Sequence, residues 1–344
     1  MPKKIICAMV MVFALVLLAS AAGPVQYELK QKFTLGGEGG WDYLTYDPSS
    51  KHLFISRGTR VMVVDPEKGT VVGEIPNTTG VHGIAIANDV GKGFTSNGRE
   101  NTITVFDLKD LKETAKIKLE GAENPDAIIY DPASKRVFAF NGRSKNATVI
   151  DAAKGTVVSN IPLDGKPEFA AADGKGNVYV NIEDKAEVQA IDAKKAAVSN
   201  TWKMEGCEEP SGLAMDQKNR RLFAGCGNKV MAIVDADSGK VVAKLPIGEG
   251  VDATGFDPGT GLAFSSNGDG TLTVIHEDSK DKFSVAQNAT TQKRARTMAL
   301  NPGNHEVYLV TADFEEPATP PANGQRPRPT MKPGTFTLLV MAKK

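Results

Sequence analysis

The sequence predicts an all-β protein built from seven repeats of four short strands each. Three observations carry this prediction: an apolar phrase that usually ends in Asp, a second phrase with an aromatic residue at its third position, and turns rich in Asp, Pro, Gly, Asn and Lys. The last residues of the seven Asp phrases are 42, 44, 41, 43, 41 and 64 positions apart. Four-strand units at this period are typical of propeller blades, so we predict a seven-bladed β-propeller of four-stranded blades.

Each repeat places its strands in the same order. The first strand ends in Asp or Asn in every repeat, at 43–47, 84–88, 127–131, 169–173, 212–216, 253–257 and 297–301. The second carries an aromatic third residue in six of seven copies: Phe54, Phe94, Phe138, Tyr179, Phe223 and Tyr308. The third is the Asp phrase, at 61–65, 103–107, 147–151, 188–192, 231–235, 272–276 and 336–340. A turn and a fourth strand follow, most clearly at 68–75, 154–161 and 238–245.

The two ends of the repeat array complete each other. Residues 27–35 resemble a fourth strand with no blade before it, and the last third strand, at 336–340, has no fourth strand after it. We therefore predict that the N-terminal strand closes the last blade, which removes the free edges of an open array. Residues 23–344 would then form one propeller domain.

The interval of 64 residues contains an insertion. Residues 313–333 hold six prolines and separate the second and third strands of the last repeat. Because proline cannot donate to a strand ladder, we predict a surface loop. Two interpretations stay open for it: a disordered excursion, or a flap or partner-docking arm.

The first 22 residues have the pattern of a secretory signal peptide. Lys3 and Lys4 precede an apolar run at 5–18, and small residues follow at 19–22. The run is short for a membrane span, so we predict cleavage and a periplasmic or secreted protein. A retained anchor is the alternative. We expect no membrane span after cleavage, because no other segment is long and apolar enough.

The charges of the chain balance, with 41 basic and 41 acidic residues among 344. Proteins that coat nucleic acid usually carry a basic excess. Nucleic acid is therefore not expected as the main partner. A small polar molecule or a protein partner fits better, and we expect a monomer.

Short motifs give the chain a family resemblance. Ser-Asn-Gly occurs at 96–98 and 266–268, Phe-Asn-Gly at 140–142, and the third strands follow a V-x-V-x-D pattern. With these motifs, residues 27–344 resemble the bacterial YVTN-repeat propellers, including YncE-like exported proteins. The sixth and seventh copies depart from the pattern, ending in His276 and Val340. The resemblance implies a periplasmic or surface binding propeller.

Propeller topology brings two sets of positions to one mouth of the central channel. The start of strand one and the end of strand two open on the same face, and each blade supplies single residues there. The strand-one starts are Asp42, His82, Asp126, Glu168, Ser211, Asp252 and Arg296. The strand-two ends are Arg57, Asn97, Asn141, Asn181, Asn267 and Asp313, with Arg99 and Arg143 shortly after two of them.

From these positions we predict a polar ligand site. Its predicted residues are Asp42, Arg57, His82, Asn97, Asp126, Asn141, Arg143, Glu168, Asn181, Asp252, Asn267 and Arg296. The alternative is that these residues simply keep a wet channel mouth polar. No residue is assigned as catalytic.

A subset of these residues could hold a metal ion. The carboxylates of Asp42, Asp126, Glu168 and Asp252 offer the oxygen ligands that Ca²⁺ or Mg²⁺ prefers. Of the four histidines only His82 is expected near the mouth, which argues against a copper or zinc site built from several histidines. No cofactor is otherwise indicated.

Three functions follow from this site, in order of preference. The first is an exported binding or scaffold propeller without a reaction. The second is a divalent-metal-assisted lactonase or esterase, because the predicted site resembles lactonase-type propellers in layout; His82 or Glu168 would be the base. The third is a nucleic-acid or polymer binder that uses Arg57, Arg99 and Arg143 together with the basic end of the insertion.

Two cysteines remain after the predicted cleavage. Cys207 precedes strand one of the fifth blade and Cys226 follows its strand two, so both fall on the mouth face. We predict a disulfide between them, as an oxidising compartment would permit. Two free thiols are the alternative.

Overall fold

Seven four-stranded antiparallel sheets form a ring in the computed structural model, which describes residues 26–315 and 329–344. The prediction of an all-β, seven-bladed propeller is confirmed. The predicted signal peptide at 1–22 and most of the proline-rich insertion lie outside the described residues.

The strands are numbered along the chain, beginning with β1 (Tyr27–Thr34). Blades 1 to 3 are β2 (Leu44–Asp47), β3 (His52–Ser56), β4 (Val61–Asp65), β5 (Thr70–Ile75); β6 (Val81–Ala87), β7 (Lys92–Asn97), β8 (Thr102–Asp107), β9 (Glu113–Lys118); and β10 (Pro125–Asp131), β11 (Arg136–Asn141), β12 (Asn146–Asp151), β13 (Thr156–Pro162). Blades 4 to 6 are β14 (Pro167–Ala172), β15 (Asn177–Ile182), β16 (Glu187–Asp192), β17 (Ala197–Lys203); β18 (Pro210–Asp216), β19 (Arg221–Cys226), β20 (Val230–Asp235), β21 (Val241–Pro246); and β22 (Val251–Asp257), β23 (Leu262–Asn267), β24 (Thr271–Ser279), β25 (Lys282–Thr290). The last part of the chain contains β26 (Met298–Asn301), β27 (Glu306–Thr311), the short pair β28 (Phe314–Glu315) and β29 (Thr330–Met331), and β30 (Thr337–Lys343). Two 3₁₀ turns, Asn88–Val90 and Glu183–Lys185, follow strands β6 and β15.

The ring is closed by the N-terminal strand. Blade 7 has the strand order β26, β27, β30, β1, so its outer strand comes from the start of the chain. Strand β1 pairs antiparallel with β30 from Tyr27–Lys343 to Thr34–Thr337. The predicted closure of the last blade is confirmed.

The core lies between the blades. First strands of neighbouring blades contact one another around the whole ring, including β26 with β2. The second-strand aromatics that mark the repeat are all buried, at no more than 2% exposure. Their rings fill the space between adjacent sheets, which explains why the repeat needs a bulky residue at that position.

No helix among the described residues has the length and apolarity that a membrane crossing needs.

A disulfide joins Cys207 and Cys226 within blade 5, with an S–S distance of 2.06 Å. The bond links positions 19 residues apart and fixes the loop that leads into β18. We expect its reduction to lower the free energy of unfolding by about 3 kcal/mol, because a closed loop of this length restricts the unfolded chain.

Denaturant unfolding with and without dithiothreitol measures this effect. The control is the double variant Cys207→Ala/Cys226→Ala, whose unfolding midpoint should not respond to the reductant. An unchanged midpoint of the wild-type protein on full reduction would contradict the expectation.

Candidate functional site

The first residues of the inner strands are displaced from regular pairing. In blades 2 to 6 the register shifts near the start of the inner strand, so that two residues face one residue of the second strand. The displaced pairs are 82–83, 126–127, 168–169, 211–212 and 252–253. Such bulges redirect side chains. They explain how strand-one starts come to face the channel mouth.

Serines on the second strands hold these displaced segments. The amide of Gly83 donates to Ser96 Oγ at 2.8 Å, and Ser96 donates in turn to the carbonyl oxygen of Asp126 in the next blade. Ser266 makes the equivalent contact with the carbonyl oxygen of Arg296. The serine of the Ser-Asn-Gly motif therefore fixes the backbone of a mouth residue on its neighbour.

The asparagines of the Ser-Asn-Gly and Phe-Asn-Gly motifs bond to the third strand and do not point into a ligand site. Each is fully buried and donates its amide to a threonine on its own blade. The pairs are Asn97 with Thr104 at 2.9 Å, Asn141 with Thr148 at 3.0 Å, and Asn267 with Thr273 at 3.1 Å. This placement differs from the sequence prediction, which gave all three to the ligand.

Asn181 lies in blade 4 and links blades. Its side-chain amide donates to the carbonyl oxygens of Ser211 at 2.9 Å and Gly212 at 3.1 Å, on the first strand of blade 5. Its side chain is also fully buried. Asn181 thus positions the next inner strand rather than lining the pocket.

Arg57 is fully buried beneath the glycine-rich segment 36–40. Its guanidinium donates to the carbonyl oxygens of Gly37 at 3.1 Å, and of Glu38 and Gly39 at 3.0 Å each. The group also stacks 3.5 Å from the centre of the Phe336 ring. Burial, together with the nearby charge of Arg60, lowers the pKa of Arg57 to about 10. The Arg57 guanidinium therefore stabilises the glycine-rich segment from inside the fold.

Arg143 has the opposite environment. Its side chain is 75% exposed, and its guanidinium lies 3.9 Å from Glu123. Exposed pairs of this kind contribute little energy. Neither Arg57 nor Arg143 therefore directs its charge into the pocket described next.

An acidic pocket of about 510 Å³ opens at the channel mouth. Seven carboxyl groups and two basic groups line it, so negative charge predominates. The carboxyls belong to Asp42, Asp126, Glu168, Glu183, Glu209, Glu249 and Asp252, and the basic groups to Lys166 and Arg296. Five residues predicted from sequence therefore line the same pocket: Asp42, Asp126, Glu168, Asp252 and Arg296.

Two aromatic side chains that line this pocket meet across the ring. Tyr43 of blade 1 and Phe169 of blade 4 stack with ring centres 4.4 Å apart, and both line the pocket. Since the two blades lie on opposite sides of the ring, the stacked pair spans the channel, and the pocket that it lines is called the cup below. The Tyr43 hydroxyl is buried without a hydrogen-bond partner among the described residues. Burial and the surrounding carboxylates raise its pKa.

Asp42, His82 and Asp126 meet at the edge of the cup. His82 Nδ1 lies 2.5 Å from Asp42 Oδ2 and 3.7 Å from Asp126 Oδ1. Burial alone would lower the pKa of His82, but the hydrogen bond that its ring donates to Asp42 and the charge of Asp126 outweigh burial and raise the pKa. Burial raises the pKa of Asp126 to about 6, with His82 opposing the shift.

The other two predicted metal ligands have basic partners. Lys166 Nζ lies 2.6 Å from Glu168 Oε1 and also contacts Glu183. Arg296 lies 3.6 Å from Asp252. Burial nevertheless raises the pKa of Glu168 and of Asp252 to about 7 each. The structure thus separates the four predicted metal ligands into two groups.

Sequence reasoning missed four charged residues of the cup. Lys166, Glu183, Glu209 and Glu249 all line it, yet none was predicted as a site residue. Glu183 stands two residues after Asn181, and Glu249 stands in the loop that enters β22. All four stand within three residues of a strand-one start or a strand-two end, and this position is the signal that could have identified them.

A second cleft of about 380 Å³ adjoins the cup. It shares Asp42 with the cup and is also lined by Trp41, His82 and Arg99. The root of the insertion lies beside it, because the Phe314 ring is 6.1 Å from the Trp41 ring. The described part of the insertion is therefore attached at the mouth face.

Comparison with known proteins identifies the fold but no family. No family model matches the chain, and no curated protein matches it. Among solved structures, the chain is similar to the crystal structure of RRP9 WD40 repeats, with a TM-score of 0.76 and 7% identity over 93% of this chain and 100% of that chain. It is also similar to the structure of U3-55K, with a TM-score of 0.74 and 8% identity over 92% of this chain and 98% of that one. These similarities show a shared propeller fold.

Proposed function

We propose that this chain is a binding propeller that captures a cation, or the positively charged group of a small molecule or protein partner, in the acidic cup. The observation that carries the proposal is the charge of the cup, with seven carboxyls against two basic groups. A concave site with one sign of charge concentrates ligands of the other sign. The propeller fold supports a binding or scaffold role, although fold alone does not identify a ligand.

We expect cations to stabilise the protein more strongly at pH 8 than at pH 5.5. Glu168 and Asp252 both have a pKa of about 7, so they ionise across this interval and attract a cation only then. A folded-state pKa above the unfolded value also means that the ligand-free protein loses stability as pH rises from about 4 to about 7. Cation affinity should rise about tenfold or more between the two pH values.

Thermal unfolding with Ca²⁺, Mg²⁺, Mn²⁺, Zn²⁺ or spermidine measures this effect, with succinate as the anionic comparison. The variant Asp252→Asn should lose part of the pH dependence, whereas Arg143→Ala, on the exposed surface, should keep all of it. The proposal fails if no cation raises the unfolding temperature at pH 8, or if succinate raises it equally.

A divalent-metal-assisted lactonase or esterase is the second candidate. The observation that favours it is the pKa of Glu168 near 7, within the range that suits a general acid or base. A hydrolase must turn over its substrate, whereas a binding protein need not. Hydrolysis of a lactone by the wild type, and its loss in Glu168→Gln, would therefore favour the hydrolase.

The structure gives less support to nucleic-acid binding. Of the three arginines on which that hypothesis depends, Arg57 and Arg99 both line the second cleft, but Arg57 is fully buried and its guanidinium is bonded to backbone carbonyls. The cup itself would repel phosphates. Arg326 and Arg328, at the basic end of the insertion, lie outside the described residues.

We further infer that the protein works in the periplasm or outside the cell. The sequence pattern at 1–22 supports export, and the Cys207–Cys226 disulfide is of a kind that persists in oxidising compartments. Membership of the YVTN-repeat family stays a prediction, carried by the repeat motifs.

A further inference from the structure

Three side chains from three successive blades offer metal-binding atoms at the edge of the cup. One ligand atom each from Asp42, His82 and Asp126 lies within 4.8 Å of the other two. Ligand atoms of a tetrahedral site with bonds of about 2.1 Å are about 3.4 Å apart. The distances from His82 Nδ1, 2.5 Å to Asp42 and 3.7 Å to Asp126, bracket that spacing.

We propose that Asp42, His82 and Asp126 hold a divalent transition-metal ion of the Zn²⁺, Mn²⁺ or Co²⁺ class. This inference rests on the proposed function, because the ion would be the cation that the mouth captures. One imidazole nitrogen with two carboxylate oxygens suits these metals, whereas Ca²⁺ and Mg²⁺ prefer oxygen ligands alone. The histidine therefore changes the metal expected from the sequence, where only carboxylates were assigned as ligands.

The Tyr43 hydroxyl is an independent sign that the cup binds something. It is buried in the cup wall without a partner among the described residues, and the charges of Asp42 and Asp126 act on it. Buried polar groups are rarely left unpaired. A donor in this position points to an acceptor that arrives with the bound state, such as an oxygen of water or ligand held at the metal.

The surrounding backbone holds the three ligands in place. Ser56 accepts a hydrogen bond from the Asp42 amide at 3.0 Å, and Ser96 donates to the carbonyl of Asp126. The His82 ring lies against Gly98, where a Cβ atom would come within 2.8 Å of Nε2. Glycine at this position therefore makes room for the ring. Ligands fixed in this way are prepared for an ion before it arrives.

An internal ion pair is the competing explanation. A protonated His82 between two carboxylates would also satisfy the geometry. It predicts that His82 contributes to stability but not to metal affinity, so the two explanations differ in a measurable quantity.

Isothermal titration of the untagged, chelator-treated protein with Zn²⁺, Mn²⁺, Co²⁺, Ca²⁺ and Mg²⁺ provides the test. We expect at least one transition-metal ion to bind about tenfold or more tightly than Ca²⁺, and His82→Ala to weaken that binding by at least about tenfold. Asp126→Asn should have a similar effect. The matched control is His276→Ala, which removes a histidine that pairs with Asp278 and does not line the cup, and it should bind the metal as tightly as the wild type.

The visible spectrum of the Co²⁺ complex gives a second readout, because loss of a nitrogen ligand in His82→Ala changes the bands even if affinity falls only partly. Circular dichroism melts show whether each variant folds. Unchanged Co²⁺ affinity and spectrum in His82→Ala and Asp126→Asn would overturn the metal centre. If spermidine or Ca²⁺ still stabilises the protein in that case, the cation-binding proposal survives; if no cation binds, both proposals fall.

Discussion

Tyr27→Ala is expected to lower the free energy of unfolding by about 3–5 kcal/mol, the range found when a buried aromatic side chain is removed. Tyr27 is 2% exposed, and its ring packs edge-on against Phe264 at 5.1 Å between centres. Its hydroxyl donates to the carbonyl oxygen of His305 at 2.8 Å. Its backbone exchanges two hydrogen bonds with the Gln287 side chain, at 2.6 and 3.0 Å. One residue thus attaches the closing strand to two blades.

Equilibrium unfolding in urea measures this loss. Two controls accompany the variant: Tyr27→Phe, which removes one hydrogen bond and should cost about 1 kcal/mol, and Leu29→Ala, on the same strand at 46% exposure, which should cost about 0.5 kcal/mol or less. If Tyr27→Ala were no more harmful than Leu29→Ala, the Tyr27 side chain would not be what attaches the closing strand to its neighbours.

Arg57→Ala is expected to destabilise the protein by about 3 kcal/mol or more, because hydrogen bonds from a charged group contribute about 1.5–3 kcal/mol each. The substitution removes the donor to the carbonyls of 37–39 and empties the space above Phe336. The segment 36–40 leads directly to Trp41 and Asp42, so its loosening should also weaken cation binding in the cup.

Arg57→Lys tests the role of guanidinium geometry. Lysine keeps the charge but cannot direct donors to three carbonyls from one planar group, so we expect an intermediate loss of stability. Arg60→Ala is the matched control. Arg60 also contacts the Glu38 carbonyl, at 3.2 Å, but it is partly exposed and should cost about 1 kcal/mol or less. Equal losses for Arg57→Ala and Arg60→Ala, in denaturant unfolding, would refute this role for Arg57.

The fold was predictable from sequence because each blade repeats the same packing requirement. A second-strand aromatic such as Phe94 or Phe138 is buried between sheets in nearly every blade, and that burial leaves a regular signal. The closing strand was predictable for a related reason: Tyr27 and its neighbours fit a missing place in the pattern. Because the same packing contact recurs in each blade, it appears in the sequence as a fixed period.

The site was only partly predictable, since topology places backbones but does not orient side chains. Position along the strand was enough to place Asp42, Asp126 and Asp252 at one mouth. It could not show that Asn97 turns inward to a threonine of the third strand. Position along the strand also could not identify the partners of Arg57. These partners are backbone carbonyl oxygens, which every residue has, so no residue type marks them in the sequence.

Because the two ends of the chain close the ring, the channel mouth can form only after the last strand has been synthesised. All cup residues are encoded between positions 42 and 296, yet the strand pairing that closes the ring needs residues 337–343. A nascent chain synthesised only to about position 300 would contain every cup carboxyl but could not form the closed ring that brings them together. The binding proposed for the mouth therefore requires the completed polypeptide, and a prematurely terminated chain should show none of it.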